Sequence, residues 1–328
     1  MLDRHHCRRR PVRRIVVDLD VTDDPTHGTR QLTFFNGFYD TWCYLPMLAF
    51  LTFDGESEQY LCAAALRPGN VATHAGALTL LTRIVGRPQE RFPNARILVR
   101  LDGGFAAPEL FEFLDLVGVD YVVAMAKNPV LERAAELDLI VAKVLSDVTG
   151  QTEHAYTDFA YATGAWDREY RVVFKAEVVR LEGREPRLNP RFVVTSLTGK
   201  PQRIYEQVYC RRGEIENRIK ELFDVAIDRT SCSRFRANQL RVTLAAAAYI
   251  LMQELRLGAR GMAWARAQVA TLRLEPLKIR VQVVASVRRL VLRLPAAFPF
   301  RAGWRAIALH SGPTPAEAAR LAAIVIVP

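Results

Sequence analysis

The order of apolar runs between Ile15 and Glu136 narrows the fold more than any other feature of the chain. Ile15–Asp20, IVVDLD, is short and β-branched and reads as a strand. A Pro/Gly turn, VTDDPTHGTR, follows it. Phe38–Phe53 and Gln59–Leu66 read as two more strands, joined by a turn at Asp54-Gly55. Val71–Val85 has helical spacing, with Leu78, Leu81, Ile84 and Val85 on one side. Ala95–Leu101 is a fourth strand, Pro108 opens a helix to Val117, Asp120–Ala126 is a fifth strand, and Pro129 starts a helix through Glu136. A meander of three strands followed by crossover units predicts an α/β fold, a mixed sheet with helices packed on it.

The next stretch changes character. Phe159–Ala162, Tyr170–Arg180 and Arg191–Ser196 read as strands broken by Thr163-Gly164, Gly183-Arg184-Glu185 and Asn189-Pro190. The expected organisation is a basic N-terminal piece at 1–14, the first part of a core at 15–149 and a β-rich insertion at 150–203. The rest of the core follows at 204–258, and a mainly helical extension at 259–328. Phe235–Leu255 reads as a long helix and Ile279–Leu294 as a strand or strand pair. Gly303–His310 and Pro315–Ala322 read as short helices.

Three acids stand out by position. Val16, Asp18 and Asp20 share one face of the first strand, because side chains alternate. Two carboxylates on a buried strand are costly unless something pairs with them. Asp102 ends the fourth strand beside Gly103-Gly104, where backbone can come close to a ligand. In the helix Tyr209–Phe223, Ile215, Ile219, Leu222 and Phe223 form an apolar stripe. Tyr209, Arg212, Glu216 and Lys220 line one edge of it, while Glu214 and Glu221 point away and read as solvated. Taken alone, the helix is also a surface ion-pair helix with Glu216 and Lys220 at i,i+4. Asp20, Asp102 and Glu216 brought together would hold Mg²⁺, or Mn²⁺, as one ion or two. Two such ions activate a water or hydroxyl and stabilise the leaving oxygen in phosphodiester cleavage. His27 is near Asp20 in sequence and reads as a structural residue.

The net charge of +10, carried mostly by Arg, suits a polyanionic partner, because the Arg fork matches phosphate. Five cysteines without a CxxC pair read as free thiols of a reducing cytosol, and no His or Cys sits at zinc spacing. No apolar run is long enough to span a membrane, and MLDRHHCRRRPVRR runs straight into a strand, unlike a signal peptide.

VVDLDVT, RLDGGF, and Tyr209, Arg212 and Glu216 at spacings of three and four resemble bacterial insertion-sequence DDE transposases. The closer resemblance is to the cut-and-paste group with a β-strand insertion before the catalytic Glu. GVDYVVAMAKN and FRANQLRVTLAAAAYIL are similar to that group as well. The resemblance runs from about Ile15 past Arg293. It implies an RNase H-like fold, metal-dependent strand cleavage and transfer with Mg²⁺, and a homodimer acting on DNA at the cytoplasmic nucleoid. It makes Asp20, Asp102 and Glu216 the metal ligands and places Tyr209, Arg211, Arg212 and Lys220 on DNA phosphates. The family's last signature Lys lies seven residues after the Glu; Phe223 stands there, so Lys220 is the substitute. Relatives stack an insertion aromatic on a flipped base, which points to Trp166. Relatives also carry a helical end-recognition region before the first catalytic strand, so the chain looks N-terminally truncated.

Two rival readings follow from the same residues. A truncated copy would be a non-catalytic DNA-binding remnant or an inhibitor of transposition. DLDVT also matches the opening of haloacid dehalogenase-like phosphatases, with Asp18 as nucleophile and Asp20 as acid/base.

Overall fold

A computed structural model describes residues 2, 5, 10–259, 261–287, 290–293, 295 and 297–311. Two compact units make up the chain, one of residues 1–218 with 231–238 and one of 219–230 with the rest.

The first unit is built on a nine-stranded mixed sheet. β1 (Arg14–Val21) is its centre, buried on both faces from Ile15 to Asp20. β2 (Asp24–Pro25), β3 (Phe34–Asn36) and β4 (Thr41–Tyr44) form a small separate sheet. β5 (Met47–Phe53) runs antiparallel to β1 and pairs in turn with β6 (Tyr60–Ala65). The single strand expected over Phe38–Phe53 is therefore two. Pro46 supplies no N–H between them, and Leu45 donates instead to the Arg67 carbonyl at 3.0 Å.

Helix α1 (Ala77–Arg91) starts six residues later than its apolar spacing predicts. The Arg67 guanidinium explains the delay: it donates to the carbonyls of Ala72, Thr73 and Ala75 at 3.2, 2.8 and 2.9 Å, holding that stretch as a loop. Gly76, at φ 81°, then turns the chain into the helix. β7 (Arg96–Leu101) crosses over to lie parallel to β1, and after α2 (Pro108–Leu116), β8 (Asp120–Met125) lies parallel to β7. The order β6-β5-β1-β7-β8 is an antiparallel meander followed by parallel crossovers, an RNase H-like α/β core. α3 (Pro129–Ala134), capped by Asn128, leads into α4 (Glu136–Thr149), a helix the sequence reading leaves unassigned.

The strands within 150–203 continue the same sheet. β9 (Glu153–Tyr161), β10 (Tyr170–Val179), β11 (Arg187–Leu188) and β12 (Arg191–Thr195) follow in the chain, and β12 pairs antiparallel with β8. A helical segment from Arg203 then crosses one face of the sheet. It is π-helical over Arg203–Tyr209, 3₁₀ over Cys210–Gly213, and becomes α5 (Glu214–Asp224). Ile204 and Tyr205 pack on Val16, Leu98, Val122, Val173 and Val193.

The second unit takes in the later turns of α5 and most of α6 (Phe235–Gly258). Glu221 is buried there: Tyr249 Oη and Arg256 Nη2 each donate to it at 2.9 Å. The sequence reading of Glu221 as solvated is thus overturned. Ala259, Trp264, Leu272 and Ile307 form a second small core, around α7 (Val269–Leu272) and α8 (Arg301–Ser311). β13 (Gln282–Ala285) and β14 (Leu290–Arg293) form an antiparallel pair. The helix expected at Pro315–Ala322 lies outside the described residues.

Candidate active site

The face of the sheet beneath the 203–213 segment is graded along the strands. Cross-strand partners share a face, so β1 and β7 present matched pairs there: Val16 with Leu98, then Asp18 with Arg100. One step further, at the carboxyl ends of both strands, come Asp20 and Asp102. The helical segment keeps pace. Ile204 and Tyr205 cover the apolar level, Val208 lies over Arg100, and Arg212 reaches the acids.

Arg212 Nη2 lies 2.8 Å from Asp20 Oδ1 and 3.5 Å from Asp102 Oδ2. One guanidinium nitrogen therefore spans the two acids, whose side chains are 11% and 35% exposed. Asp20 Oδ1 also accepts from the Val21 N–H at 2.9 Å. Burial pushes the Asp20 carboxyl up to about 6; Asp102 and Glu216 add to the rise and Arg212 opposes it. Asp102 Oδ1 accepts from the Gly104 N–H at 3.0 Å, which fixes the acid on a 3₁₀ turn. A side chain at Gly104 would put its Cβ 2.6 Å from Thr73 Cγ2. The GG pair after Asp102 is thus explained at its second glycine by close approach.

Glu216 is exposed, one turn beyond Arg212, and close enough to Asp20 to raise its pKa. Tyr209 packs against Tyr205 with ring centres 5.5 Å apart. Burial raises its phenol, so the hydroxyl stays protonated and able to donate. Arg211 and Lys220 are exposed; Lys220 belongs to the second unit. Among the described residues no three His, Cys, Asp or Glu side chains are gathered closely enough to hold a metal ion.

Trp166 is not brought to the acids. Its ring meets Phe111, Tyr161 and Tyr170 edge-on at 5.5, 5.5 and 5.2 Å. Phe111 also packs on Tyr121, which neighbours Val122 and so faces the other side of the sheet from Arg100. The register puts this aromatic cluster toward the start of β8, away from the strand ends that carry Asp20 and Asp102. Trp166 is a packed residue of that cluster. His27 is exposed.

Asp18 has no access to solvent, with 0% of its surface exposed. Arg100 Nε and Nη2 donate to its two oxygens at 2.7 and 2.6 Å, and Gln59 Nε2 donates at 3.2 Å. A phosphatase nucleophile must meet its substrate, so the haloacid dehalogenase-like reading of Asp18 fails. Periodicity gives the face on which Asp18 lies, but nothing local marks Arg100 as its partner.

Among the described residues no helix is long and apolar enough to cross a membrane. The four cysteines described, Cys43, Cys62, Cys210 and Cys232, are free thiols.

Solved structures with some likeness to this chain include a piggyBac transposase synaptic complex with hairpin DNA, at 11% identity and a TM-score of 0.39. The match covers 72% of this chain and 46% of that one, so the chain spans about half the length of that transposase. The NurA nuclease from Sulfolobus solfataricus matches at 10% identity and a TM-score of 0.28, over 71% of this chain and 78% of that one. No curated protein matches. The family model described as "Transposase DDE domain group 1" matches residues 1–310, nearly the whole chain, and the chain belongs to that family of DDE transposases.

Proposed function

We propose that the chain cleaves DNA phosphodiester bonds and transfers the strand, with Asp20, Asp102 and Glu216 as the catalytic acids. The supporting observation is the single Arg212 nitrogen within 3.5 Å of both Asp20 and Asp102, with Glu216 one turn away on the same segment. In this reading the ends of β1 and β7 supply two of the acids and the helical segment the third. The donors fit a hard divalent cation. All are carboxylate oxygens, and burial makes Asp20 favour a positive charge beside it, a place Arg212 takes. Mg²⁺ or Mn²⁺ held by these three would supply Lewis acidity and activate the attacking oxygen.

The chain's own residues do the rest. Arg212 offers a planar fork to a phosphate brought beside the acids. Tyr209 keeps its proton and donates to a phosphate oxygen. Arg211 and Lys220, both exposed, are the further cations offered to DNA phosphates. By the family likeness the DNA is an insertion-sequence end and the working form a homodimer, assembled at the nucleoid.

Purified chain incubated with supercoiled plasmid and Mg²⁺ or Mn²⁺ tests the proposal. Metal-dependent nicking is expected, with Asp102→Ala and Glu216→Ala reducing it at least a hundredfold while DNA retention in gels is kept. Nicking that Glu216→Ala leaves at the wild-type rate overturns the assignment of that acid. A wild-type chain that binds DNA but never nicks it favours a non-catalytic DNA-binding protein or inhibitor.

A further inference from the structure

The carboxylate the proposed chemistry does not use is the most deeply buried of those on its face. Asp18 stands one level below Asp20 on β1 and opposite Arg100 on β7. Burial raises its pKa, and the two-pronged bond from Arg100 is the main opposing influence. A buried ion pair of this kind is seldom needed for stability, since apolar residues of similar volume serve as well or better. Its geometry accounts for it differently. A guanidinium is a rigid plane, so fixing two of its nitrogens fixes the direction of the third. That third nitrogen, Arg100 Nη1, donates to the Val208 carbonyl at 2.9 Å, 108 residues along the chain.

Val208 lies at the end of the π-helical turn, immediately before Tyr209 and four residues before Arg212. The segment passes from π to 3₁₀ to α hydrogen bonding between Arg203 and Glu214. Such irregular turns hold their own register poorly and recur at functional sites. An external donor at one carbonyl is therefore well placed to decide which residues face the strand ends.

We infer that Asp18 and Arg100 are positioning residues for the proposed site: Asp18 aims the Arg100 fork, and Arg100 Nη1 clamps Val208 so that Tyr209 and Arg212 meet Asp20 and Asp102. The inference rests on the proposed catalytic role of those acids, but its structural content is tested separately. In the full chain, Asp18→Leu with Arg100→Met removes both charges and keeps the volume. We expect this double variant to melt at or above the wild-type temperature. Its amides over 203–213 should exchange hydrogen at least tenfold faster by mass spectrometry, with the rest of the sheet unchanged. Mn²⁺-dependent nicking should fall at least tenfold. Arg100→Lys keeps the charge and loses the fork, and it should show the same local loss of protection, which covers the case in which the double variant does not fold. Native protection of 203–213 in either folded variant overturns the inference and leaves the pair as core packing. If the wild-type chain nicks no DNA, that outcome counts against the proposed activity, and the exchange measurement still decides this point.

Discussion

Asp20 is an acid held where water scarcely reaches it. Its carboxyl titrates near 6, against an ordinary value of 3.8. The folded state therefore binds a proton more tightly than the unfolded chain, and stability is lost as pH rises from about 4 through 6. Above pH 6 the cost reaches on the order of 3 kcal/mol, at about 1.36 kcal/mol per unit. Asp20→Asn should thus raise the melting temperature of the metal-free protein at pH 7.5, and the gain should shrink toward nothing below pH 4. Thermal melts across that range check it; a variant less stable than wild type at pH 7.5 contradicts the raised pKa. Arg100 predicts the opposite behaviour. Arg100→Gln strands the Asp18 carboxylate in the core and should cost about 3–5 kcal/mol in a denaturant titration.

Among the elements, the segment from Arg203 to Asp224 was the most legible and also the most misread. Its apolar stripe and the edge carrying Arg212 and Glu216 followed from spacing, and Ile215, Ile219 and Leu222 are buried as expected. A helical wheel gives direction only. Nothing at Glu221 itself reveals Tyr249 and Arg256, 28 and 35 residues later. Asp102 was legible because a strand end followed by two glycines has a local signature, whereas the clamp on Val208 has none. α4 escaped because apolar residues lie on both its sides: Leu139 and Ala142 are buried, while Leu137 and Val148 are 77% and 80% exposed, so no single stripe marks a face. Apolar spacing also carries no mark of the π and 3₁₀ turns over Arg203–Gly213. Gly213 sits at the end of the 3₁₀ turn, and beyond its own turns of the helix no atom lies within 4 Å of where an alanine Cβ would stand. Gly213→Ala should therefore stabilise the chain by about 0.5–1 kcal/mol in a thermal melt. Gly104→Ala meets Thr73 and should destabilise the turn that holds Asp102, lowering both melting temperature and nicking.

For the molecule as a whole, the net charge of +10 sets the salt dependence expected of the proposed DNA binding. Affinity for a random duplex should fall linearly in a log–log plot against salt, by roughly 0.9 per phosphate neutralised. Arg211→Ala should flatten that slope by about one, if Arg211 touches a phosphate, without changing preference among sequences. A slope unchanged in a titration from 50 to 200 mM salt removes Arg211 from the path. The joining of β12 to β8 has its own consequence. Without the stretch from Gly150 to about Arg203, β8 would become a bare flank with its peptide groups facing outward. A shortened chain would offer that flank to its neighbours and cling to them strand by strand. The added strands thus also act as a seal on a surface that would otherwise be adhesive.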